Sequence, residues 1–245
     1  MTALPTTESW NALAGELEDV LALAAPPVAI TFTAERPAGI AEFDAPMPPP
    51  MPDGRTGRVP AGCVFWMKGT ERTFSTVAED HGNCSVGSLT HGFVTLDDIA
   101  GNSDVGALLD TGWVSSEAVP EIPAVSERPG AVTYGPLRDT PVEPDVILVR
   151  LSADAMMLLT DALPGLRLGG KPQCHIVAVA KEHGEVALSA GCTLSRARTG
   201  MPDHEVTCAI PAAKAAEVIG RLRAAKTVND AVSGYALDDA RRFAP

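Results

Sequence analysis

The stretch Cys84-Ser-Val-Gly-Ser-Leu-Thr-His-Gly92 has a counterpart in Cys192-Thr-Leu-Ser-Arg-Ala-Arg-Thr-Gly200. Each consists of a cysteine, seven residues and a glycine, and the two stretches align without a gap. Another cysteine precedes each stretch, Cys63 by 21 positions and Cys174 by 18. Self-similarity of this kind is typical of a duplicated structural unit.

The elements predicted around these stretches follow the same order in both halves of the chain. Strands rich in β-branched residues are predicted at 28–32 and 146–151, and each precedes a cysteine, a hairpin, a second cysteine and a helix. We therefore predict a single domain over residues 1–245 that is built from two pseudo-repeats, at about 26–113 and 144–225.

The predicted hairpins decide the fold class. Residues 62–76 are predicted as two strands with a turn at Lys68-Gly69, and strands at 174–180 and 185–190 are joined by a turn at His183-Gly184. The other predicted elements are a strand at 206–210, helices at 153–163, from Asn102 or Ser103 and from Pro211, and proline-rich irregular segments at 45–60 and 115–130. Consecutive short hairpins favour antiparallel pairing. The predicted fold is α+β (mixed α/β), a mainly antiparallel sheet with flanking helices.

Charge and composition narrow the classes of function. The chain of 245 residues carries a formal net charge of −12, and aromatic residues make up 4% of it. Nucleic-acid binding depends on clustered cations and on aromatic side chains that stack on bases, so we expect no nucleic-acid partner. The apolar runs are too short to span a membrane and no secretion signal is visible, so we expect a cytoplasmic protein without a membrane partner. A homo-oligomer is left open.

Five cysteines in a reducing compartment suggest metal binding or catalysis rather than structural disulfides. If the two repeats pack about a pseudo-two-fold axis, Cys63, Cys84, Cys174 and Cys192 can converge on one centre. Thiolates select iron–sulfur clusters, zinc or cuprous copper, and the close cysteine pairs of structural zinc sites do not occur here. The pattern favours an iron–sulfur cluster (4Fe–4S), with zinc or unconnected buried cysteines as alternatives. Cys208, which has no counterpart, is predicted to lie in the core.

Several short motifs occur in order along the chain and together resemble one known family. They are Pro27-Val-Ala-Ile30, Cys63-Val-Phe-Trp66, Cys84-Ser-Val-Gly87, Tyr134-Gly-Pro-Leu137 with Pro144-Asp-Val146, Gly170-Lys-Pro-Gln-Cys174, Ser189-Ala-Gly-Cys192 and the segment from Glu205 to Pro211. The sequence resembles the bacterial and archaeal family catalogued as domain of unknown function one-six-nine, from about Trp10 to Leu222. The resemblance implies that the four cysteines are the recurring ones of that family, and it implies no particular reaction.

Ionisable side chains near the cysteines suggest the rest of a site. His81 lies three positions before Cys84 and His91 seven positions after it, so either can move protons beside the cysteines. Arg196 and Arg198 share one face if their segment is extended, and they can bind a carboxylate or phosphate by forked hydrogen bonds. Ion pairs with the excess of acidic residues explain these arginines equally well. We predict a cavity at the metal centre that is lined by His91 and at least one of the two arginines.

These observations predict an iron–sulfur enzyme that acts on a small anionic substrate, with His91, Arg196 and Arg198 as catalytic residues. The reaction is either redox chemistry, as in an oxidoreductase, or Lewis-acid chemistry, as in a dehydrating lyase. An electron-transfer protein with a redox partner is the second hypothesis, and a zinc-bound or metal-free small-molecule binding protein is the third. The sequence contains no dinucleotide fingerprint, phosphate loop, serine elbow or zinc-protease motif.

Overall fold

The computed structural model describes residues 7–243, and a seven-stranded sheet forms their centre. The strands are Val28–Thr33 (β1), Phe74–Thr76 (β2), Ala131–Pro136 (β3), Val146–Leu151 (β4), Arg167–Gly169 (β5), Ala187–Ser189 (β6) and Val206–Pro211 (β7). Their order is β2-β3-β1-β4-β7-β6-β5, and all neighbours are antiparallel except β5 and β6. The predicted α+β fold with a mainly antiparallel sheet is confirmed.

Helices cover both faces of this sheet. They are Thr7–Leu21 (α1), Cys63–Lys68 (α2), Ser85–Thr90 (α3), Leu96–Ile99 (α4), Ser103–Asp110 (α5), Ala153–Ala162 (α6), His175–His183 (α7), Thr193–Thr199 (α8) and Ala215–Arg241 (α9). One buried core lies between the sheet and α1, α6 and α9, and a second lies between the sheet and α2 and α7. Within residues 7–243, none of the helices has the combined length and apolar character that a membrane span requires.

Strand β4 shows how the sequence builds both cores. Ile147, Val149 and Leu151 belong to the core beneath α1, α6 and α9, whereas Val146 and Leu148 belong to the core beneath α2 and α7. Successive side chains on a strand point to opposite faces, so a strand that is apolar at nearly every position must be buried on both sides. The site described below lies on the α2 and α7 face.

The strand order is symmetric about the pair formed by β1 and β4. β3 and then β2 follow on one side of this pair, and β7 and then β6 follow on the other. Each half contains, in order, a central strand (β1, β4), a helix that starts at or directly after a cysteine (α2, α7), a short strand (β2, β6), a second helix after a cysteine (α3, α8) and a strand that returns beside the first (β3, β7). The first half has α4 and α5 in addition, and the second half has α6 and β5. This order supports the predicted duplication. We propose that the first repeat extends to β3, beyond the predicted limit at residue 113.

Both predicted hairpins are wrong. Residues 63–68 form helix α2, and most of 174–180 lies in helix α7. Both segments are buried, so most of their side chains are apolar. A short apolar run of this kind can form either a strand or a buried helix, and the sequence pattern alone does not distinguish the two. Gly184 is the left-handed C-cap of α7, with φ 61°, rather than part of a hairpin turn.

The C-terminal helix also differs from the prediction. Pro211 is the last residue of β7 instead of the first residue of a helix, and a short 3₁₀ turn separates it from α9.

Candidate functional site

All four cysteines that the sequence selects line one cavity. Its volume is about 180 Å³, with Cys63 and Cys84 coming from the first half of the chain and Cys174 and Cys192 from the second. All four are free thiols. The fold thus brings together side chains that are separated by as many as 129 positions in the sequence.

The fifth cysteine lies elsewhere, as predicted. Cys208 is on β7, has no exposed surface and packs in the core beneath α1, α6 and α9. The cavity cysteines lie with the opposite core, where Cys63 is buried and Cys84 and Cys174 pack against its edge. The sheet therefore separates Cys208 from the other four thiols.

Two of the cavity cysteines cap helices in the same manner. The backbone N–H of Gly87 donates to Cys84 Sγ at 3.4 Å, at the start of α3. The N–H of Ser195 donates to Cys192 Sγ, also at 3.4 Å, at the start of α8. Each sulfur thus occupies the position of an N-cap acceptor, three residues before its donor.

The glycines of the two aligned stretches have a matching role. Gly92 and Gly200 follow the last turns of α3 and α8 with φ of 77° and 66°. This left-handed conformation ends a helix, and glycine adopts it without steric cost. The shared spacing of a cysteine, seven residues and a glycine therefore specifies a short helix with sulfur at one end and a left-handed glycine at the other.

The remaining two cysteines also lie at helix starts. Cys63 is the first residue of α2, after Gly62, and Cys174 immediately precedes α7. The expectation that the four cysteines lie at the ends of hairpins is therefore wrong. They converge because four helices begin at the same cavity.

Burial favours the neutral form of Cys63, Cys84 and Cys174. Burial, together with the neighbouring Cys84 and Cys192, raises the pKa of Cys63 to about 12. Burial likewise raises the pKa of Cys84, against the opposing charge of Arg198. The pKa of Cys174 is raised by burial and then by Cys84. The thiols influence one another because they lie close together, and a metal that binds them has to displace their protons.

The arrangement of the thiols bears on which metal they fit. Among residues 7–243, no three His, Cys, Asp or Glu side chains are grouped so that they could hold a single metal ion. Zinc requires its sulfur ligands at about 2.3 Å from one point. An iron–sulfur cluster usually takes four cysteines as its ligands, and four cysteines line this cavity. The chemical type and number of the donors therefore fit such a cluster.

Arg198 lines the cavity, as the sequence predicts for at least one arginine. Its Nη1 donates to Cys84 Sγ at 3.5 Å. Among the ion pairs formed within residues 9–243, none involves Arg198. This guanidinium thus combines a partly buried position with a charge that no carboxylate balances there.

Arg196 does not reach the cavity. Its guanidinium donates to the backbone carbonyl oxygens of Ala190, Pro202 and Glu205, at 2.6 to 3.2 Å. The predicted pairing of Arg196 with Arg198 assumed an extended segment. Because α8 is a helix, residues two positions apart point to nearly opposite sides. Arg196 therefore stabilises the loops on both sides of α8 through hydrogen bonds to their backbone.

His91 does not line the cavity, so its predicted rim position is wrong. It has no exposed surface, and its Nδ1 lies 2.8 Å from the carbonyl oxygen of Gly87. Burial lowers the pKa of His91 to about 4, so the ring is neutral at pH 7. His81 is also fully buried, and the centre of its ring lies 5.3 Å from the centre of the His91 ring. Both rings lie behind Gly62, where a Cβ atom would be 3.0 Å from His81 Nδ1.

Several residues of the cavity wall could not be identified from the sequence. Gln173 and Ser195 lie beside the cysteines, where Ser195 Oγ bonds to Gln173 Oε1 and Gln173 Nε2 donates to Thr207 Oγ1 at 2.7 Å. Their positions in the sequence could have indicated them, because Gln173 directly precedes Cys174 and Ser195 follows Cys192 by three residues. Leu108 and Trp113 also line the cavity. No local pattern connects them with the cysteines, because tertiary folding alone brings them there.

One comparison with known proteins gives a match. The sequence model of domain of unknown function 169, described as uncharacterised ArCR, matches residues 16–221. No curated protein and no solved structure matches the chain. The matched range includes all four cavity cysteines and Arg198.

Proposed function

The chain belongs to the domain of unknown function 169 family, and we propose that it is an iron–sulfur enzyme that acts on a small anionic substrate. The observation that carries this proposal is the cavity lined by Cys63, Cys84, Cys174 and Cys192 together with Arg198, which forms no ion pair with any of residues 9–243. The four cysteines would hold a 4Fe–4S cluster, and no other described part of the chain offers several thiols in one place.

When bound, such a cluster supplies one-electron transfer or, where one iron lacks a cysteine, a Lewis acid. The chain surrounds its sulfurs with donors. The N–H groups of Gly87 and Ser195 and the guanidinium of Arg198 all point at cysteine sulfur. Donors of this kind stabilise negative charge on sulfur and favour the reduced state of a cluster. These donors therefore favour redox chemistry over Lewis-acid chemistry for the proposed enzyme.

Arg198 is also the residue that would bind the substrate. A guanidinium has five N–H donors, so Arg198 can contact Cys84 Sγ and still bind a carboxylate. The cavity walls shield this contact from water, which strengthens it. His91 is neutral and buried and does not line the cavity, so the proposal gives it no catalytic role. Arg196 has none either, because four hydrogen bonds to backbone carbonyl oxygens hold its guanidinium away from the cavity.

An electron-transfer protein is the second candidate. Cys84, Cys174 and Cys192 are each partly exposed, so a cluster held by them lies near the surface, as electron exchange with a partner protein requires. The apolar wall and the unpaired cation favour the enzyme instead, because a carrier needs neither.

Electron paramagnetic resonance separates the two candidates. The protein is purified anaerobically, reduced with dithionite and measured with and without small carboxylates. An enzyme whose substrate lies beside the cluster shows a changed spectrum when the carboxylate is added, and Arg198→Leu abolishes the change. A cluster signal that no carboxylate alters supports the electron carrier. Absence of any cluster signal contradicts both candidates.

A further inference from the structure

The cavity wall outside the cysteines is mainly apolar. Three helices contribute to it, α3 with Val86, α5 with Ala107 and Leu108, and α8 with Leu194. Trp113, just after α5, completes this wall, and Lys171 Nζ lies 5.0 Å from the centre of its ring. A cation at this distance holds an indole ring in place. The partly exposed members of this wall place apolar surface at the mouth of the cavity.

Arg198 is the cation of the cavity wall that has no carboxylate in contact with it among residues 9–243. The other charged residue of the wall, Asp104, is paired, since Arg55 Nη1 lies 3.0 Å from its carboxylate and the N–H and hydroxyl of Ser85 donate to it at 3.0 and 2.7 Å. Arg55 also pairs with Asp53, at 2.7 Å. A ligand carboxylate would give Arg198 the partner that these residues do not supply.

From this combination we infer that the substrate is a monocarboxylate with an alkyl or aryl group. Its carboxylate binds Arg198, and its apolar group lies against Leu108, Trp113 and Leu194. This inference rests on the proposed function and narrows its substrate class. A dicarboxylate or tricarboxylate has no second cation in the cavity wall, and its further charges meet apolar surface and a chain of net charge −12.

Calorimetric titration of the anaerobically purified full chain tests this class. The probes are hexanoate and phenylacetate, their neutral amides hexanamide and phenylacetamide, and citrate. We expect hexanoate or phenylacetate to bind at least tenfold more tightly than its amide, because a charge-assisted hydrogen bond is lost in the amide. We expect citrate to bind at least tenfold more weakly than both monocarboxylates.

Variants of Arg198 and Trp113 test which residue binds the carboxylate of the ligand and which one contacts its apolar group. Arg198→Leu should weaken carboxylate binding at least tenfold and leave amide binding unchanged, whereas Arg198→Lys should retain part of the affinity. Trp113→Ala should weaken hexanoate and hexanamide by the same factor, because it removes apolar contact alone. Arg221→Leu, at an exposed arginine of α9, is the matched control and should change nothing.

The inference is overturned if citrate binds more tightly than the monocarboxylates, if acid and amide bind equally, if Arg198→Leu binds like the wild type, or if no probe binds. Iron and sulfide are measured in the same preparations. Normal iron and sulfide with failed binding refutes the substrate class alone. Their absence refutes the proposed function, whatever the probes do.

Discussion

At the scale of single residues, the cavity combines soft ligands with donors directed at them. Cys84 Sγ accepts from the N–H of Gly87 and from Arg198, and Cys192 Sγ accepts from the N–H of Ser195. These contacts fix the sulfur positions before any metal binds. They distinguish Cys84 and Cys192 from Cys208, which is surrounded by apolar side chains.

A pair of serine variants tests this difference. Cys192→Ser should lose most of its iron and visible absorbance and become sensitive to proteolysis, because metal binding is coupled to folding. Cys208→Ser buries a hydroxyl in the apolar core, which should lower the free energy of unfolding by about 1–3 kcal/mol while the colour is retained. Equal colour in the two variants would contradict the assignment of the ligands.

His91 makes stability depend on pH. Its folded-state pKa of about 4 lies below the ordinary value of 6.5, so the unfolded chain binds more protons as the pH falls through this window. The stabilisation is therefore complete above pH 6.5 and is lost toward pH 4. His91 alone should lower the free energy of unfolding by about 2 kcal/mol between pH 7 and pH 5.

Urea unfolding at pH 7 and pH 5 measures this effect. The wild type and His91→Gln are compared, so that contributions shared by both, such as those of the carboxylates, cancel. We expect the decrease to be smaller in His91→Gln by about 2 kcal/mol. The same decrease in both proteins would show that His91 is not buried in its neutral form.

At the scale of elements, the cysteines are placed by where helices begin. The strands β1, β4 and β7 could be predicted closely, because each is a run of apolar, β-branched residues of ordinary strand length. Helices α2 and α7 could not, because they are buried and lack an exposed polar face. The pattern of a cysteine, seven residues and a glycine aligns α3 with α8, but it did not reveal that both stretches are helices.

The start of α3 leaves little room beside its cysteine. A Cβ atom at Gly87 would lie 3.3 Å from Cys84 Sγ, so Gly87→Ala has to displace the sulfur by a few tenths of an ångström. We expect a lower iron content in this variant, since the sulfur moves from the position that its backbone donor fixes.

The matched control is Gly106→Ala in α5, where no atom lies within 4 Å of the new Cβ. It should keep its full iron content and raise the free energy of unfolding by about 0.5–1 kcal/mol, because alanine favours the helix. Equal iron content in the two variants, measured by metal analysis, would contradict the importance of the sulfur position.

At the scale of the whole molecule, the cavity takes two cysteines from each half of the chain, and the two halves meet at β1 and β4. Repetition of the cysteines allowed their convergence to be predicted. The position of Arg198 in the cavity wall and the absence of His91 from it could not be predicted. Both depend on which side of α8 and α3 faces the cavity, and the sequence pattern did not show that these stretches are helices. Leu108 on α5 and Trp113 just after it reach the cavity from a part of the chain that has no counterpart in the second half.

A cluster that takes two ligands from each half should stabilise the halves against separation. Removal of iron by a chelator under reducing conditions is therefore expected to lower Tm by roughly 10 °C, which corresponds to about 3–5 kcal/mol for a chain of this size. Thermal unfolding followed by circular dichroism, before and after chelation, checks this. Unchanged Tm after complete iron removal would show that the halves hold together without the cluster.

The central claim is that four cysteines from two halves hold one iron–sulfur cluster. The most direct measurement is the iron and acid-labile sulfide content of the wild-type chain purified without oxygen. The account predicts about four iron atoms and about four sulfides per chain. A chain that contains neither iron nor sulfide, or one that contains zinc without sulfide, would contradict it.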